Sequence, residues 1–182
     1  MHKAVNFLLY YVAWLVCVLS MQSVDRWWWP LLVVALLVGW HLFRSQARHR
    51  DLICIAVATL LGPLVDVILL LAGVVVVPIS AGQIHGGLPP LAMILLWPAF
   101  ATTFHSSLAW LLPHKVLLAA CAFVGAPLAY VGAETLVAGL QLRPDLPLAA
   151  LLIGVVWALC LPLIVICSTA MESWLVVGTR PE

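Results

Sequence analysis

Long apolar runs alternate with short polar joints along this chain, as in "NFLLYYVAWLVCVLS", "LLVVALLVGW", "DVILLLAGVVVV" and "LAALLIGVVWALCLPLIVI". Each run approaches the roughly 20 residues an α-helix needs to cross about 30 Å of hydrocarbon. None shows the strict alternation of polar and apolar residues over about ten positions that marks a membrane β-barrel strand. The pattern therefore predicts an all-α polytopic membrane helix bundle of about six transmembrane helices. The spans fall over about 4–22, 29–44, 52–77, 89–112, 116–140 and 147–171, in one integral membrane domain covering 1–182. Nothing is left over for a soluble domain.

Composition strengthens this reading. Of the 182 residues 65% are hydrophobic and 8% charged, against roughly 25% charged in a soluble domain. Mean hydropathy is +1.18. A net charge of +1 gives no support for nucleic-acid binding. The five cysteines (Cys17, Cys54, Cys121, Cys160 and Cys167) lie within or beside apolar runs and form no CxxC, so they read as small packing residues. The first run has a short basic start, but "VLSMQS" is a poor cleavage site for a signal peptide, so retention as the first span is expected.

Charge in the joints sets the orientation. If the spans alternate sides, one side carries Lys3, Arg44, Arg48, Arg50, Lys115 and Arg180, and the other only Arg26 and Arg143. The positive-inside rule then puts both termini in the cytoplasm. "DRWWWP" lies at the outer surface, where Trp27 to Trp29 suit an aromatic belt and Pro30 starts the second helix. The outer joint "PISAGQIHGGLPP" reads as a compact loop or shallow re-entrant turn. The basic joint "RSQARHRD" reads as a topology signal that can also touch anionic headgroups.

Polar residues inside the spans are where function is expected, because an ionisable group there costs at least about 2.5 kcal/mol. Asp66 follows Gly62-Pro63 in the third span, and Pro63 leaves the Thr59 carbonyl without its helical donor. Counted from the cytoplasmic ends, Tyr130 of the fifth span has nearly the same depth, with Glu134 one turn further out. In "FATTFHSSLAWL", helical spacing puts Thr102, His105 and Ser106 on one face and Thr103 and Ser107 on another. The hydroxyls can bond carbonyls of the preceding turn, but His105 cannot. Its depth matches Asn6 and Tyr10 of the first span, predicting an Asn6–Tyr10–His105–Ser106 cluster with His41 at its rim. No serine-hydrolase elbow and no paired-histidine metal motif occurs. The unequal depths of His41 and His105 argue against haem. No cofactor or metal is expected.

A faint internal echo is also present. His41 and Pro63 are spaced as His105 and Pro127 are, and "GPLVD" resembles "APLAY". Parallel repeats occur in transporters, although Leu/Val-rich sequence produces such matches by chance.

The segments "NFLLYYVAW", "GPLVDVILLLAG", "WPAFATTFHSSLAWL" and "GAPLAYVGAETL" together resemble an uncharacterised family of small bacterial inner-membrane proteins, domain of unknown function 2878. The resemblance covers nearly the whole chain. It implies a bacterial, multi-pass inner-membrane protein, carries over no activity, cofactor or catalytic residue, and leans toward lipid-related roles. Three functions are then in view: an accessory or binding component in lipid or envelope metabolism, a small proton-coupled transporter using Asp66, or an intramembrane enzyme acting on a lipid or isoprenoid with His105 as base. The expected partners are membrane lipids, other inner-membrane proteins or further copies of the chain, and no nucleic acid.

Overall fold

In the computed structural model, which describes residues 3–22, 24–26, 28–78 and 88–177, the apolar runs fold as six α-helices. These are α1 (Lys3–Ser20), α2 (Trp28–Arg44), α3 (Arg48–Leu71), α4 (Leu91–Phe104), α5 (Lys115–Leu136) and α6 (Leu146–Val177). Four of them, α1, α3, α5 and α6, are long and apolar enough to cross a membrane. The other two, α2 with 17 residues and α4 with 14, are apolar but shorter. Trp27, most of the joint at 78–90 and Arg180 lie outside the described residues.

The helix ends have local causes. A span reaching 77 was expected for the third run, but α3 stops at Leu71. Gly73 adopts φ +67°, its amide bonds the Leu70 carbonyl, and the Val74 amide bonds the Leu69 carbonyl. That pair of bonds is a Schellman stop, which favours glycine because the left-handed conformation penalises a Cβ. The chain leaves it as strand β1 (Val75–Val76), which pairs antiparallel with β2 (Gln141–Leu142), Val75 opposite Leu142 and Val76 opposite Gln141. The ribbon closes one end of the bundle, here the strand end.

At the other end, where the arginines and lysines gather, the fourth run departs furthest from the sequence reading. It was expected to stay helical through 112, yet α4 ends at Phe104 and the chain continues in turns to Pro113. The Thr102 and Thr103 hydroxyls donate to the Ala99 and Phe100 carbonyls at 2.7 and 2.6 Å. The Ser106 and Leu108 amides both fold back onto the Thr103 carbonyl. These bonds satisfy the last-turn carbonyls without a further helical turn.

Packing follows from small residues. Ala13, Ala58, Ala99 and Ala149 are fully buried, and small side chains let apolar helices approach closely. Helix α4 lies inside, against α1, α2 and α3, while α6 packs along α5 and α3. Helices α1 and α5 scarcely touch. The gap between them is a cavity.

Glu134 belongs to the strand end. Its Oε1 accepts the Leu142 amide of β2 at 2.9 Å, so it holds the ribbon to α5. Glu134→Ala removes that acceptor and is expected to lower stability by about 1 kcal/mol, with Glu134→Gln close to wild type. Denaturation by graded detergent reads this, and equal losses from both substitutions would contradict it.

Candidate functional site: a cavity with one polar pole

The cavity has a volume of about 620 Å³ and is bounded by α1, α4, α5 and α6. Its mouth lies between Phe7 and Tyr11 of α1 and Cys121, Gly125 and Leu128 of α5, all of them exposed on the bundle's flank. A Cβ built on Gly125 would meet nothing within 4 Å. An aromatic wall runs inward. Tyr10 contacts Phe100 at 5.5 Å, Phe100 meets Trp157 edge-on at 6.0 Å, and Trp157 stacks on Trp97 at 4.7 Å.

At the inner end stands Asp66, 3% exposed. Its Oδ1 accepts the Tyr130 hydroxyl and its Oδ2 the Trp97 indole N–H, both at 2.7 Å. Local sequence arranges this. Asp66 is one helical turn after Gly62 on α3, so both share a face. The missing side chain at Gly62 is the slot in which the Trp97 ring lies, and the ring's N–H then points at the carboxyl one turn on. Tyr130 comes from α5, one turn after Pro127. Trp157 of α6 completes the pole beside Tyr130. Its Nε1 is buried and makes no hydrogen bond.

A second polar cluster sits at the basic end. Asp51, in the first turn of α3, receives His41 Nε2 of α2 on Oδ2 at 3.2 Å and His105 Nδ1 on Oδ1 at 2.9 Å. The Ser45 hydroxyl adds a third bond to Oδ2 at 2.5 Å. The C-terminal ends of α2 and α4 are thus fastened to the start of α3, where the helix dipole also favours a negative charge. Next to it Asn6, fully buried on α1, donates to the Thr102 carbonyl at 3.2 Å and accepts the Ser107 hydroxyl at 2.9 Å.

The candidate residues therefore fall into three places. Asp66 and Tyr130 meet in the cavity, and Tyr10 lines it further out. Asn6 and His105 belong to the basic end, in neighbouring networks, while Glu134 serves the ribbon. Ser106 does not join Asn6; Ser107 does, because helical facing loses its meaning once α4 has ended at Phe104. Neither His105 nor Asp51 lines the cavity, so the two polar clusters do not share it. Asp51, Trp97 and Trp157 went unread. A signal existed for the tryptophans: a buried indole needs an acceptor, and a glycine inside a helix usually has a packing reason. Among the described residues no group of three or more histidines, cysteines or acids is placed to hold a metal ion.

The echo in the sequence has a spatial counterpart. Asp66 and Tyr130 are 64 residues apart and bonded. His41 and His105 have the same offset and share Asp51, which brings them to one depth where unequal depths were expected.

No protein of curated function and no solved structure matches this chain. A family model described as "Protein of unknown function (DUF2878)" matches residues 3–163, and with nearly nine-tenths of its length covered the chain belongs to that family.

Proposed function

We propose that this chain is a multi-pass protein of the bacterial inner membrane, with both termini cytoplasmic, that binds one lipid-class molecule in the cavity between α1 and α5. Its role in this reading is that of a binding or accessory component of lipid or envelope metabolism. Helices α2 and α4 complete the six crossings, with the turns after Phe104 supplying the length that α4 lacks.

The cavity carries this reading. Its volume of about 620 Å³ falls in the range of roughly 300–1,000 Å³ typical of small-molecule sites, which combine apolar walls with a few fixed polar groups. The walls here are aromatic and aliphatic, the polar groups converge at one end, and the mouth opens on the exposed flank where acyl chains would lie. A proton relay fits less well. Asp51 and Asp66 are 15 residues apart on one helix, about 22 Å at 1.5 Å per residue, and only Asp66 reaches the cavity.

Native mass spectrometry of the protein released from lipid nanodiscs tests the proposal. One retained lipid-class adduct per chain is expected. Gly125→Trp, placed at the mouth where an added Cβ meets nothing within 4 Å, is expected to abolish it while leaving the helical content unchanged. Bare protein, a second polypeptide in the cavity's place, or an adduct that persists in Gly125→Trp would overturn the reading.

A further inference from the structure

We infer that the polar pole selects a single terminal hydroxyl, so that the molecule bound is a long-chain alcohol. The inference rests on the cavity reading above and adds the chemical class of the head.

It follows from the donors and acceptors left open at the pole. One donor is left open: the Trp157 indole N–H is buried within reach of the Tyr130 oxygen but meets hydrogen-bond geometry with no group. Acceptors remain as well. Each Asp66 oxygen has taken one donor and keeps a lone pair, and the Tyr130 oxygen, whose proton goes to Asp66, can still accept. A head that satisfies this set must accept one hydrogen bond and donate another, and a hydroxyl does both.

Other heads fail on one side. An ammonium only donates, which leaves the indole N–H orphaned. An ester or an ionised carboxylate only accepts, and a carboxylate would also oppose Asp66; an acid could do both only after taking up a proton. A phosphate needs cations, yet among the described residues lining the cavity none is basic. The aromatic wall of Phe100 and Trp157, which line the cavity, then flanks the first carbons of the chain.

The test uses radiolabelled hexadecanol on the full chain in nanodiscs at about pH 9, where the acid is ionised and the amine still protonated, with hexadecane, hexadecanoic acid and hexadecylamine as competitors sharing its tail. Hexadecanol is expected to bind about tenfold more tightly than any of the three, since each leaves a polar group at the pole without a partner. Trp157→Phe keeps an aromatic ring but loses the N–H. It is expected to lower hexadecanol affinity about tenfold and leave hexadecane unchanged, and Tyr130→Phe provides a second variant of the same kind.

Equal binding of the four compounds, tighter binding of the amine or the acid, or indifference to Trp157→Phe would overturn the hydroxyl while leaving the cavity reading in place. Binding of none of the four would overturn both. The ranking on the unsubstituted protein decides the matter even if a variant fails to fold.

Discussion

Asp51→Ala is expected to lower stability by about 3 kcal/mol, because breaking a buried pair costs more than the pair contributes: it leaves the remaining polar partners without a bond. Here the partners are two imidazoles from different helices and the Ser45 hydroxyl, and the Asp51 and His41 side chains are each 6% exposed. The loss is spread over three helix ends, so α2, α3 and α4 should loosen together. Hydrogen exchange should therefore rise at Leu42 to Ser45 and at His105 to Leu108 alike. Asp51→Asn keeps the shape and one acceptor oxygen, and should lose clearly less. A stability within 1 kcal/mol of wild type for Asp51→Ala, or faster exchange at only one of the two segments, would contradict the fastening role.

Gly62→Ala is expected to be comparably damaging, again by about 3 kcal/mol, at the upper end of what overpacking costs. A Cβ at this position would overlap the Trp97 ring at Cγ, Cδ2 and Cε3. That ring cannot easily yield, since its N–H is fixed to Asp66 and its face to Trp157. Moving it would also break the Asp66 bond. The two sites should consequently be coupled: in Gly62→Ala combined with Trp97→Leu, much of the loss from the added methyl should disappear, a departure from additivity of at least about 1 kcal/mol. Additive losses in the double substitution would show that the glycine is not a slot for the indole.

Much of the architecture is legible in the sequence because lipid leaves hydropathy as the main constraint. The six apolar runs coincide with six helices even where ends differ. The ends are harder. Past Phe104 the residues Leu108, Leu111 and Leu112 remain apolar, yet their backbone turns, since hydropathy reports where a residue lies and not how its backbone is folded. The meeting of Asp66 and Tyr130 could be read by counting depth along two helices with the same direction. Asp51 could not, because it stands among arginines in a joint that looks solvated, and its partners come from 10 residues before and 54 after. Trp97 and Trp157 were hidden for the opposite reason: in an apolar run an indole resembles its neighbours, and only its N–H distinguishes it.

Helix α6 has a practical consequence. Its 32 residues extend for about 48 Å, and a tilt of up to roughly 40° cannot fit that length within about 30 Å of hydrocarbon. Ser168 is its last buried residue, and beyond it Thr169, Ala170, Met171 and Trp174 are exposed. The final two turns therefore continue the axis of the core as a stiff rod whose surface is mostly outside the packing. A helical scaffold fused in register at that point would inherit the orientation of the bundle, giving a chain of 19.8 kDa the rigid fiducial that single-particle imaging of so small a membrane protein requires.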